Sequence, residues 1–114
     1  MVSQNRRRTP RTLMNQLAHV VQENVETGER METLGQTTDV SESGLRFHGR
    51  KVFDPYRRVE ICLALGDNLI EATGAVRHLT INKRGDVALG IEFIDLPRED
   101  KQFIRDYCFG RSGL

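Results

Sequence analysis

Alternation of apolar and polar residues runs through most of this chain. Val59, Ile61, Leu63 and Leu65 alternate with Arg58, Glu60, Cys62 and Ala64, the period of a strand with one buried face. Val87, Leu89, Ile91 and Phe93 repeat the pattern, and Leu45 and Phe47 alternate with Arg46 and His48. Met31 to Val40, with Thr33, Thr37 and Thr38, reads as another strand. Between Thr12 and Gln22, Leu13, Leu17 and Val21 also fit a helix, but Val20–Val21 and the turn residue Gly28 favour a strand. "SESG" at 41–44, "GDN" at 66–68 and "NKRGD" at 82–86 are turn sequences, and "GDN" predicts a hairpin into a strand over Leu69–Ile81.

The pattern changes after Pro97. That proline suits the first turn of a helix, and Glu99 and Asp100 follow where the helix dipole favours acids. Phe103, Ile104, Tyr107 and Cys108 recur at helical spacing, making Phe103, Ile104 and Tyr107 the face that packs on the sheet, and Gly110 is the expected stop. Six antiparallel strands with short turns and a helix over about 97–109 predict a mainly β protein, a small six-stranded barrel whose open end the helix can cover.

Composition narrows the function classes. A chain of 114 residues, 38% hydrophobic, makes one domain. The net charge is only +1, yet Arg6, Arg7, Arg8 and Arg11 crowd the first 11 residues without an acid. Setting those four aside from the 17 bases leaves 13 against 16 acids, so the body is slightly acidic and an anion site must be local and must use this arm. Residues 1–11 read as a flexible basic arm, and Pro10 directs Thr9 away from helix. The barrel and helix take up 12–114. No apolar run reaches membrane-spanning length and no signal-peptide core follows Met1. Cys62 and Cys108 have no metal-type spacing and predict free thiols in a reducing cytosol. His19, His48 and His78 share no ligand spacing, and no nucleophile elbow, phosphate loop or carboxylate pair points to catalysis.

Two motifs carry the chemistry. Arg7-Arg8-Thr9-Pro10-Arg11 places arginines four apart, and Asp39-Val40-Ser41-Glu42-Ser43-Gly44 follows after 27 residues. That interval fits one hairpin, which returns the end of the second strand to the start of the first. Alone, an arginine run is an ordinary solvated tail and "DVSESG" an ordinary turn. Together, at this spacing and on this strand pattern, they resemble the PilZ domain, a bacterial receptor module for the second messenger cyclic di-GMP. "GLRF", "ATGAVRHL" and "ALGIEFIDLPREDKQFIRDY" extend the resemblance over nearly the whole chain.

The resemblance implies that Arg7 and Arg11 contact guanine edges and phosphate, with Arg6 as a further ligand contact and Arg8 and Arg77 as additional candidates. A guanidinium bridges O6 and N7 of guanine with two hydrogen bonds, stacks on purines and pairs with phosphate. On an extended segment Arg7 and Arg11 stand roughly 13 Å apart, suited to two parts of a compact dinucleotide. The resemblance also places Asp39, Ser41 and Gly44 at the guanine site. A carboxylate accepts from guanine N1–H and N2–H, a serine donates or accepts, and a glycine allows close backbone approach or positive φ. The expected protein is thus a cytoplasmic, non-enzymatic receptor. It orders its arm over the barrel on binding cyclic di-GMP and acts in trans on an effector protein of motility, exopolysaccharide or similar output, with no cofactor, metal, nucleic-acid polymer or membrane insertion. The rival on the same fold is an interaction module that binds no nucleotide. A barrel for single-stranded nucleic acid would want aromatic platforms along a basic groove, and this chain has no Trp and an acidic body.

Overall fold

The computed structural model describes residues 16–55 and 57–111. In chain order the elements are β1 (Gln16–Glu23), β2 (Arg30–Ser41), β3 (Gly44–Gly49), β4 (Arg58–Leu65), β5 (Asn68–Ile81), β6 (Val87–Asp95) and α1 (Arg98–Arg111). Each strand is antiparallel to its neighbours, and the order β1-β2-β3-β6-β5-β4 closes on itself because β1 also pairs with β4. The predicted six-stranded barrel with a C-terminal helix is therefore the fold. Closure leaves no unpaired sheet edge.

Alternating side chains fill the barrel. Val20, Val40, Phe47, Val59, Leu63, Val76 and Leu89 are all buried inside it, and this non-directional burial of apolar area is the main drive to fold. The two ends are closed differently. At one end Phe53, completely buried, comes from the β3–β4 loop. The Gln22 side chain holds that loop in place, donating to the Asp54 carbonyl at 3.1 Å and accepting from the Asp54 N–H at 2.8 Å.

At the other end lies α1. Its Ile104 and Cys108 are fully buried, and Phe103 and Tyr107 pack at their flanks. The Cys108 thiol donates to the Val40 carbonyl of β2 at 3.3 Å, and Arg105 donates to Glu42 in the β2–β3 turn at 3.2 Å. Across the barrel mouth, Tyr107 lies beside the β4–β5 turn, 3.4 Å from where a Cβ on Gly66 would stand. Both cysteines are free thiols.

Several boundaries differ from expectation. Residues 12–15 of the predicted first strand and the whole arm, 1–11, lie outside the described residues. The "SESG" turn is tighter than its sequence indicates. Ser41 and Gly44 are paired strand residues and only Glu42 and Ser43 turn. Pro97 precedes the helix, and its carbonyl accepts from the N–H groups of Asp100 and Lys101, which makes it the capping residue and not part of the first turn. The helix also runs through Gly110 to Arg111. A glycine costs a helix only about 1 kcal/mol, too little to end one whose preceding turns are anchored by Ile104 and Cys108.

The burial of Ile104 yields a stability prediction. Ile104→Ala lowers the unfolding free energy by about 2–5 kcal/mol, measured by urea denaturation. Leu69→Ala, at a site 73% exposed, changes it by no more than about 0.5 kcal/mol.

Candidate functional site

Two β-bulges shape the outer face of the barrel. In β2 the pairing with β3 slips between Thr37, opposite Phe47, and Asp39, opposite Arg46, leaving Thr38 as the extra residue. Thr37 is fully buried and so is Val40. Strict alternation would put Asp39 on the same inward face as Thr37. The bulge resets the phase, turning Asp39 outward and Val40 in. In β5 the pairing with β6 slips between Val76, opposite Ile91, and His78, opposite Gly90, with Arg77 as the extra residue. Val76 is buried, and both Arg77 and His78 emerge on the exposed face.

These resets align Asp39, Arg46, Gly90 and His78 in one row across β2, β3, β6 and β5. The row floors a cavity of about 330 Å³ lined by Asp39, Ser43, Gly44, Arg46, Arg77, His78, Gly90 and Glu92, among others. Arg77 donates from Nε to Glu92 at 2.8 Å. Both side chains are about half exposed, so giving up this pair to a ligand costs no more than about 1 kcal/mol. A second basin of similar volume lies at the Phe53 end, lined by Gln22, Asn24, Glu29, Arg30, Lys51, Asp54 and Arg57 with mixed charge.

The residues singled out in the sequence fall into three groups. Asp39, Gly44 and Arg77 line the outer cavity. Ser41 does not. It is completely buried under the turn, where its Oγ accepts from the Ser43 N–H at 3.3 Å and sits 2.9 Å from the Ser43 hydroxyl. Ser43 is the serine that reaches the cavity, tied to β6 by its carbonyl, which accepts from the Phe93 N–H at 2.9 Å. Arg6, Arg7, Arg8 and Arg11 lie outside the described residues. The chain enters β1 at Gln16, whose partner is Thr37, two residues from Asp39. The Thr37 hydroxyl donates to the Gln16 carbonyl at 3.2 Å and fixes that entry.

Gly44 serves close approach and not positive φ, which among the described glycines belongs to Gly28, Gly66 and Gly85. A Cβ on Gly44 would stand 2.2 Å from the Ile91 carbonyl oxygen. Sequence reasoning missed Ser43, Arg46, His78, Gly90 and Glu92 as parts of this face. The signal for His78 was present: in Val76-Arg77-His78-Leu79 the apolar residues fall three apart within a strand, which is a break of phase.

The PilZ domain pattern matches residues 5–110. The chain belongs to the PilZ domain family. No curated protein matches it in sequence. Among solved structures it is similar to the Bacillus subtilis inhibitor of motility MotI/DgrA, with a TM-score of 0.79 and 18% identity over 94% of this chain and 51% of that one. The PilZ domain of Escherichia coli YcgR, solved with c-di-GMP, gives 0.68 and 12% over 94% of this chain and 92% of that domain. The MrkH–c-di-GMP complex from K. pneumonia gives 0.69 and 16% over 92% of this chain and 51% of that one. This PilZ chain thus spans about half the length of MotI/DgrA and MrkH, and at these identities the likeness is one of fold.

The close contact at Gly44 distinguishes two glycines of the face. In Gly44→Ala the new methyl meets rigid backbone, and stability falls by about 1–3 kcal/mol in thermal or urea unfolding. In Gly90→Ala the three atoms nearest the methyl all belong to the His78 side chain, Cδ2, Cβ and Cγ at 3.2–3.5 Å. The ring of that exposed side chain can turn away and its Cβ has only a few tenths of an ångström to give, so the loss stays under about 1 kcal/mol.

Proposed function

We propose that this PilZ domain is a receptor for cyclic di-GMP, bound on the outer face that its two bulges create. The observation that carries the reading is one cavity lined both by the second motif and by basic residues remote from it in sequence. Asp39 and Gly44 border a cavity also lined by Arg46, Arg77 and His78, and β1 begins two residues from Asp39 in register. Arg11 is five residues before Gln16. An extended segment of that length spans up to about 17 Å, so Arg11 is within covalent reach of this face.

In the proposed mode Asp39 accepts from the N1–H and N2–H of a guanine, and Arg7 and Arg11 take the O6/N7 edge and the phosphates. Arg6 and Arg8 add positive charge beside them. Ser41 acts from beneath, holding the turn that offers Ser43. Four arginines in six residues repel one another, and two bound phosphates remove that repulsion. Ligand therefore orders the arm across the barrel. The changed surface is the output, presented to a partner protein, with no covalent step. The structures of YcgR and MrkH with c-di-GMP support the ligand class, and the likeness to an inhibitor of motility supports a motility output.

Calorimetric titration of cyclic di-GMP tests the reading. The wild type binds at micromolar concentration or tighter, and Arg11→Ala or Asp39→Ala each weakens binding at least about tenfold, about 1.4 kcal/mol. A wild type that gives no heat and no competition with labelled ligand is instead a nucleotide-free interaction module.

A further inference from the structure

The half of the barrel wall away from the proposed nucleotide face carries a cluster of exposed leucines. In the closed strand order, β1 and β4 lie across the barrel from β6 and β3. On their outer side Leu34 of β2, His19 of β1, Cys62 of β4 and Glu71 of β5 form one row in register. In the next row Leu17 comes level with Ala64, because Ala18 pairs with Leu63, and Ala64 pairs with Leu69. Leu17, Leu34 and Leu69 are 53%, 63% and 73% exposed. Single exposed leucines are ordinary, but three around one spot mark a contact surface. The small side chains of Cys62 and Ala64 leave a shallow groove along β4. Its walls stand on β1 and β5, two strand spacings apart, about 9.6 Å, with Leu17 on one side and Leu69 on the other.

Carboxylates surround this groove. Glu71 ends the first row, Glu60 lies two residues from Cys62 on β4, and Asp67 sits in the β4–β5 turn beside Leu69. None of these three pairs with a cation among the described residues. Glu60 accepts from the Thr73 hydroxyl at 3.1 Å, which leaves its charge uncompensated. Glu32, on the β2 side, is already met by His19 at 2.9 Å and Arg30 at 3.5 Å.

That charge selects the occupant. A second copy of this chain would bring the same acids together around one apolar centre, and like charges across an interface are costly. A stable dimer also needs about 20 residues a side, more than this patch offers. The closed barrel has no edge to which a strand could be added, so a partner must lay its side chains on the wall.

We infer that this wall docks a short basic segment of a partner protein. Apolar residues of the segment lie over Ala64 and Cys62, between Leu17 and Leu69, and its lysines or arginines meet Glu60, Asp67 and Glu71. The inference rests on the receptor reading for the existence of a protein output, and adds the place and the chemistry of the contact.

Two synthetic octapeptides serve as probes, one alternating leucine and lysine, the other with glutamate in place of lysine. Each is titrated into the full chain by fluorescence anisotropy, with and without cyclic di-GMP. The lysine peptide binds at least about tenfold more tightly than the glutamate peptide. Leu34→Thr with Leu69→Thr weakens it at least about fivefold, and Glu60→Lys with Glu71→Lys reverses the preference. These positions are exposed, so both double variants unfold near the wild-type temperature. Equal affinity for the two peptides, no binding of either, or binding unaltered in both double variants would overturn the inference. Self-association of the wild type, seen by sedimentation and lost in the leucine variant, would give the wall to a second copy and also overturn it. A chain that binds the lysine peptide in this way but not cyclic di-GMP contradicts the receptor reading and leaves the docking wall standing. One that binds only the nucleotide contradicts the docking wall alone.

Discussion

The phase resets at Thr38 and Arg77 are the constraint on which the candidate site depends. A barrel strand must alternate strictly between core and solvent, and one residue of slip exchanges its two faces. Without the extra residue in β2, Asp39 would follow Thr37 into the core and Val40 would face solvent. A buried, unpaired carboxylate is among the costliest things a small domain can contain. Without the extra residue in β5, His78 would follow Val76 inward. Each bulge lets one strand serve the core on both sides of the slip, and the polar residue released by the slip lands on the same outer row. The site is in this sense a consequence of how the core is kept apolar.

That outer face is mechanically joined to the helix. The β2–β3 turn carries Ser43 at the cavity and Glu42 beneath α1. One turn thus touches the candidate ligand face through one residue and the helix through the next. The Cys108 thiol grips the Val40 carbonyl at the base of the same hairpin. A ligand that pulls on the turn acts through two short connections, the exposed Arg105–Glu42 pair and the buried Cys108–Val40 contact. The exposed side of α1 lies where such a change would be displayed.

Much of the fold was legible because its signals are local. The alternation of Val59 to Leu65 and of Val87 to Phe93, together with "GDN" at 66–68, fixed β4 to β6 nearly to the residue. The helix was visible in Ile104 and Cys108, although the sequence marked Gly110 as its end and the anchored preceding turns carried it further. At the candidate site, Asp39 and Gly44 were legible as a motif. What the motif could not convey was depth. Ser41 reads as a ligand serine, but strand pairing through Gly44 buries it and brings forward Ser43. Gly90 and Glu92 were invisible as site residues because their proximity to Asp39 is set by cross-strand register across 51 and 53 residues of sequence, and Arg46, only 7 residues away, read as one more polar position of an alternating strand. Bulges are the other reason: they break the period on which strand reading rests, and they do so at the functional face.

The most direct test follows the amide resonances of the uniformly labelled protein while cyclic di-GMP is added. The account predicts shifts at Asp39, Ser43, Arg46, Arg77, His78 and Gly90, with Lys51, Asp54 and Arg57 at the opposite end unmoved. Perturbations gathered around that opposite basin, or none at saturating ligand, would contradict it.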